Sequence, residues 1–317
     1  MKGFILTFVL FCVLLFGACV ELPQGVPFSP GGGSSQRDLK PTTVKDGVSI
    51  YHDAQPPYYG ASPDKPVNLN NNETARNPTW DELLSFVELD DTDEGAYGFG
   101  VQVCADFANE LHDNAEKAGI KAAWVALEFE DDSEGHALNM FETTDKGLVF
   151  VDSVGSIPIE SIPLVNDETD ISPSSSKSND RIAYVQVGRE YGLISLTVAS
   201  SPLYSAYLTY VQKFNDYEAR LATFITKVEG FNERVEAYNR DSEQYESLVG
   251  GRKEIADPKE YKELSSMYDQ LERIGIELDR ESSDIDGENE SLERELTNLG
   301  LMRWEPQGIV RSVEIYW

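Results

Sequence analysis

The chain reads as an α+β fold with a long pair of helices set into it, and three patterns predict this. A helical stretch opening near residue 104 is followed by short apolar strands in hairpin order. An apolar spacing of alternating fours and threes then continues from Leu203 to Val249. The chain finally ends in an apolar strand that has no neighbour in sequence to pair with.

The segment 1–18, MKGFILTFVLFCVLLFGA, places Lys2 ahead of a long apolar run that closes on Gly17 and Ala18, the pattern of a secretory signal. Cys19 follows directly. Small residues before such a Cys resemble the lipobox of exported lipoproteins, with Phe16 a departure from its usual aliphatic residue. The resemblance implies lipidation at Cys19 and an extracytoplasmic body anchored to the cell membrane. An uncleaved anchor, or cleavage that leaves Cys19 free, would also place the body outside the cytoplasm. Residues 19–76 are rich in Pro, Gly, Ser and Asn, as in PFSPGGGSSQ and NLNNNETARN, and read as a flexible tether with a short strand near Val44–Tyr51.

A core is expected over 77–200. In PTWDELLSFVELD, Thr79 can cap a short helix whose apolar face is Trp80, Leu83, Leu84 and Val87. After a Gly-rich loop, a helix over 104–118 turns Phe107, Ala108, Leu111 and Ala115 inward and ends at Gly119. Strands follow at 121–129, 136–142 and 148–152, then at AYVQV and GLISLTV, and give an antiparallel sheet. Over 201–300 the spaced residues run from Leu203 through Tyr217 and Phe231 to Val249, with Ser242 the only polar member. Gly250 and Gly251 break that helix. A second helix from Pro258 offers Tyr261, Leu264, Tyr268, Leu271 and Leu278, with Gly275 interrupting. An antiparallel coiled-coil hairpin, inserted in the core, lets each helix cover the other's stripe. In 301–317, Val310, Val313, Ile315 and Trp317 suit a strand that returns to the core sheet, because its backbone groups and apolar face need partners.

Net charge is −30, and the pI is about 4.3. That balance argues against nucleic acid and against electrostatic binding to anionic lipid headgroups. The acidic runs ELDDTDEG and EDDSEG do not have the spacing of a full calcium-binding EF-hand loop. With Cys12 inside the apolar run and Cys19 at its end, Cys104 is the one thiol of the body, so no zinc site and no internal disulfide is expected. No cofactor is implied.

A thiol at the first turn of a helix meets unpaired N–H groups and the positive end of the macrodipole, both of which favour a thiolate. The Cys104 backbone N–H can also face an oxyanion forming beside the sulfur, and Gln102 could supply a second donor. Among the three histidines, His52 falls in the tether. His112 lies on the same helix as Cys104, about 12 Å along its axis. His136 alone lies on a separate element able to face the thiol. If TTDKG is a five-residue hairpin loop, Phe141 faces Val149, and His136 and Asp152 share one face of the sheet within side-chain reach. Thiol, imidazole and carboxylate are the parts of a nucleophile, its general base and the group that orients the base.

The residues Cys104, Asp106, Phe107, Ala108, Gly119, Ile120, His136, Ala137 and Asp152 resemble the core of the transglutaminase-like superfamily, whose papain-like members are cysteine hydrolases and acyl transferases. The resemblance covers about residues 95–155. It implies a cysteine-proteinase-like core with Cys104 as nucleophile, His136 as base and Asp152 as orienter, acting through a thioester on a protein or peptide substrate. Val103, Lys121 and Leu138 depart from the residues usual beside these motifs. Hydrolysis of an amide is expected ahead of crosslinking, because many members are peptidases or amidases. The other reading is a non-catalytic surface protein that keeps the fold and binds a partner, or a second copy, through the helical hairpin.

Overall fold

The computed structural model describes residues 39–62, 65–98, 101–130, 135–154, 180–300, 303 and 306–317. The expected signal segment, residues 19–38 of the tether including Cys19, part of the acidic loop and the whole Ser-rich run SPSSSKSN lie outside them. Among the described residues the chain is α+β, with one eight-stranded, mostly antiparallel sheet and four α-helices. It divides into two compact units, one being the helical segment that starts at Gln212 and the other carrying the sheet.

The sheet unit contains α1 (Trp80–Leu89), α2 (Cys104–Lys117) and strands β1 (Thr43–Lys45), β2 (Val48–Tyr51), β3 (Ala123–Phe129), β4 (His136–Thr143), β5 (Gly147–Asp152), β6 (Arg181–Tyr184), β7 (Gly192–Ser195) and β8 (Val310–Tyr316). Their order is β1-β2-β8-β3-β4-β5-β6-β7. Neighbouring strands are antiparallel except β2 and β8, which run parallel. The C-terminal strand therefore joins the sheet, deep within it, and its buried Val310, Val313, Ile315 and Tyr316 explain its composition. Thr79 caps α1 as expected, exchanging bonds with Glu82 in a capping box. Helix α2 buries Phe107, Ala108, Leu111 and Ala115, and Asn139 of β4 donates to the Ala108 carbonyl at 2.8 Å.

The expectation of a tether through residue 76 is corrected over 39–76. Strands β1 and β2 join the sheet, and Tyr51, Tyr58, Val67 and Leu69 are buried in a cluster that includes Cys104. The Asn-rich run is a lace along α2. The Asn68 N–H donates to Asn109, that of Asn70 to Asp113 and that of Asn72 to Glu116, at 2.9–3.0 Å. An extended chain advances about 6.6 Å per two residues and a helix about 5.4 Å per turn, close enough for alternate residues of one to meet successive turns of the other over this short run. Val67 and Leu69, on the alternate positions, are then free to point into the core.

In the helical segment, α3 (Tyr204–Val249) and α4 (Pro258–Leu299) pack together. Asp257 caps α4, accepting the Lys259 N–H at 2.8 Å, with Pro258 at the first helical position. The pairs Arg220–Glu295, Lys227–Glu288 and Arg234–Glu281 climb one helix by sevens and descend the other by sevens, which is antiparallel heptad packing. On α3, Phe214, Tyr217, Leu221, Phe224, Val228, Phe231 and Val235 are buried. On α4 the buried row is Leu264, Leu271, Leu278, Ile285, Leu292 and Leu299, while its companion row holds Gly275, Ser282 and Asn289. At Gly275 this row leaves room for Tyr238 of α3. Tyr261, expected in the seam, is instead 60% exposed, while the half-exposed Tyr268 meets Tyr245 of α3 with ring centroids 6.0 Å apart. Gly275 does not interrupt the seam, because the Tyr238 hydroxyl lies 3.3 Å from where a Cβ would sit.

Two glycines on α4 should therefore respond oppositely. Gly287→Ala meets open space and should stabilise the chain by roughly 0.5–1 kcal/mol through helix propensity. Gly275→Val should destabilise it by about 1–3 kcal/mol through overpacking against Tyr238. Denaturant unfolding followed by circular dichroism measures both.

Candidate functional site

Cys104 opens α2 because Asp106 fixes the turn before it. The Asp106 carboxylate accepts the N–H groups of Val103 at 3.1 Å and Ala61 at 2.7 Å, and pairs with Lys65 at 2.8 Å. The Cys104 backbone N–H is among the first N–H groups of the helix, which have no intrahelical acceptor. The residue is 7% exposed and is a free cysteine.

His136 opens β4 and Asp152 closes β5. The β4–β5 hairpin pairs Phe141 with Val149, the expected register, and His136 Nε2 lies 2.9 Å from Asp152 Oδ2. Cys104 lies near enough to His136 to contribute to the raising of its imidazole. With Nε2–H donated to the carboxylate, Nδ1 is the nitrogen left for the thiol. The structure thus brings together Cys104, His136 and Asp152.

It also supplies two members that the sequence reading missed. Asp152 Oδ2 accepts the Tyr191 hydroxyl at 2.7 Å, and Oδ1 accepts Arg181 Nη2 at 3.3 Å and the Val154 N–H at 3.1 Å. Arg181 donates onward to the Val154 carbonyl at 2.8 Å. The Tyr191 ring stands edge-on to His136, centroids 5.4 Å apart. Arg181 did carry a signal: a charged residue opening a wholly apolar strand, RIAY, needs a buried partner. Tyr191 carried none, since it precedes its strand.

Burial opposes charge on His136, but the Asp152 carboxylate and its hydrogen bond outweigh it, with a further contribution from Cys104, and the imidazole is pushed up to about 10. Burial also pulls Asp152 upward, yet Arg181, His136 and Tyr191 together hold it well below the usual carboxylate range. Burial, then the adjacent Asp152 charge, raises the Tyr191 phenol well above its ordinary value. The arrangement stabilises the imidazolium form of His136, the form the ring takes once a proton has passed to it from a thiol, leaving a thiolate.

The second expected oxyanion donor is corrected. Gln102 Nε2 donates to Glu110 at 2.7 Å and its backbone N–H to the Gly98 carbonyl at 3.0 Å, so its donors serve the helix flank and the preceding turn. His112 is buried on α2 beside Asp113, 2.9 Å away. Among the described residues no group of three or more His, Cys, Asp and Glu side chains is placed to hold a metal ion, and no helix is long and apolar enough to cross a membrane. No family model, curated protein or solved structure matches the chain.

Asp152→Asn should destabilise the fold by about 3–5 kcal/mol, because Arg181 loses its buried counter-charge. The pH response should have two limbs. The raised imidazole gives a contribution that is complete below pH ~6.5 and lost as pH rises through about 10. The depressed carboxylate gives one that is complete above pH ~3.9 and lost as pH falls toward its native value. Melting temperature against pH should accordingly fall more steeply on the alkaline side in the unaltered chain than in His136→Gln.

Proposed function

We propose that the chain is a cysteine hydrolase of transglutaminase-like type, a peptidase or amidase, exported and held at the membrane by lipid on Cys19. The observation that carries this reading is the chain of contacts from Cys104 through His136 to Asp152, with the carboxylate fully buried and the imidazole 2.9 Å from it. His136 Nδ1 takes the thiol proton as the Cys104 sulfur bonds to an amide carbonyl carbon of a protein or peptide. The oxyanion lies near the Cys104 N–H. His136 then gives its proton to the departing amine as the C–N bond breaks, leaving a thioester. Water, losing a proton to His136, attacks the thioester and the C–S bond breaks. A second amine in place of water would make the same chain an acyl transferase. Asp152 holds the imidazole tautomer throughout and offsets its positive charge.

A second reading is favoured by the helical segment, where Ile225, Leu248, Tyr261 and Ile276 are exposed. These offer apolar contacts for a protein partner or another copy, in a protein whose site need not turn over.

Iodoacetamide separates the two readings. In the hydrolase, Cys104 alkylates readily at pH 6, and His136→Ala slows that reaction by at least about tenfold. Equal, slow rates in both proteins would leave the binding reading alone standing.

A further inference from the structure

We infer that Tyr191 is a positioning residue for the Cys104 site and that both roots of the helical insertion hold it in place. The inference rests on the reading of that site as catalytic. Tyr191 is fully buried, and its hydroxyl donates at 2.7 Å to the oxygen of Asp152 that also accepts from His136. It therefore limits how that oxygen turns, and its ring borders the imidazole.

Tyr191 lies between β6 and β7, so its position depends on what its short segment bonds to. Two stretches far apart in sequence do this. The chain returning from the insertion takes one side: the Tyr191 N–H donates to the Gly308 carbonyl at 2.9 Å, the Val310 N–H to Arg189 at 2.9 Å and the Gly188 N–H to Val310 at 2.8 Å. The chain entering the insertion takes the other. The Tyr204 hydroxyl donates to the Glu190 carbonyl at 2.8 Å, and the Arg189 guanidinium lies 5.2 Å from the Tyr204 ring centroid. Tyr207 lies so close on Gly192 that a Cβ there would sit 2.3 Å from its ring, and it stacks on Tyr184 of β6. Tyr204 and Tyr207 belong to the first turns of α3, which share the compact unit of the sheet. A shift of either root thus moves the segment 188–192 and with it the donor on Asp152. Hydrogen bonds weaken steeply as their angles close, so a small displacement at the roots reaches the His136–Asp152 pair.

Two variants of the full chain test this. Tyr191→Phe removes one hydroxyl, and Gly192→Ala forces the segment away from Tyr207 while leaving that hydroxyl in place. The readouts are the proton resonance of the His136 N–H bonded to Asp152 and the alkylation rate of Cys104 from pH 5 to 9. Both variants should fold, shift the resonance and alter the rate at pH 6 by about tenfold, the scale of one hydrogen bond to a charged group. If Gly192→Ala does not fold, Tyr204→Phe, which removes only the bond to Glu190, takes its place. An unchanged resonance and pH profile in either folded variant overturns the inference. The resonance needs no substrate. A Cys104 that is unreactive in the unaltered chain, with a resonance that still follows Tyr191, would therefore sink hydrolysis and leave the positioning of Asp152 in place.

Discussion

The buried carboxylate of Asp152 is the constraint around which the sheet unit closes. A charge with no solvent contact costs several kcal/mol unless its oxygens are filled by donors, and each donor here comes from a different place in the fold. His136 comes from the start of β4, Arg181 from the start of β6, Val154 from the chain just past β5, and Tyr191 from ahead of β7. Satisfying one side chain therefore fixes the ends of four strands against one another. The same demand makes the pair polar in one sense only: the carboxylate stays ionised and the imidazole is favoured in its charged form. A structural device and the proposed general base thus have the same chemical requirements here, and it is the thiol on α2 that favours the proposal.

A second constraint is topological. Strand β8 lies between β2 and β3, so the sheet is incomplete until the chain has passed through both long helices and returned. Before β8 arrives, β2 and β3 expose unpaired edges, and Phe129, Leu127 and Val125 lack their neighbours. The pairing of β2 with β8 further requires residues near 48 and near 313 to meet, the longest-range contact in the sheet. Closing such loops costs entropy before contacts repay it, which places this pairing late in folding. An antiparallel hairpin suits the interruption, because it brings its two ends back together by its own local heptad contacts.

What was legible in the sequence follows from these two facts. Periodicity exposed α2, the β4–β5 hairpin and its register, the two long helices and the final strand, because each has its own hydrophobic pattern. Cys104, His136 and Asp152 could be linked because the hairpin register alone sets which residues share a face. The segment 39–76 was misread because its stabilising contacts are made by backbone N–H groups to Asn109, Asp113 and Glu116, and composition does not record who accepts a hydrogen bond. Tyr191 was invisible for the same reason. The second half of α4 was underread because its companion row is Gly275, Ser282 and Asn289, polar or small residues that look like breaks, although Tyr238 of α3 packs at Gly275 and the Ile285, Leu292 and Leu299 row beside them is buried.

The electrostatics of a chain with 26 basic and 56 acidic residues need a local account. Most of those acids are exposed, and at physiological salt their field is largely screened beyond about 8 Å. Inside the sheet unit, screening of a buried pair by salt is weak, so the pairs near Cys104 act at close range. Arg181 is almost wholly buried against Asp152, and Lys65 is paired with Asp106 beneath the first turn of α2. Arg181 balances the buried Asp152 carboxylate, whereas Lys65, whose side chain is 66% exposed, acts mainly to close the turn held by Asp106. The surface ion pairs of the helical segment, by contrast, are each worth about 0–1 kcal/mol and serve mainly to set register. Net charge therefore describes how the molecule meets its surroundings, while the buried Asp152 carboxylate and the donors packed on it set the charge balance at His136.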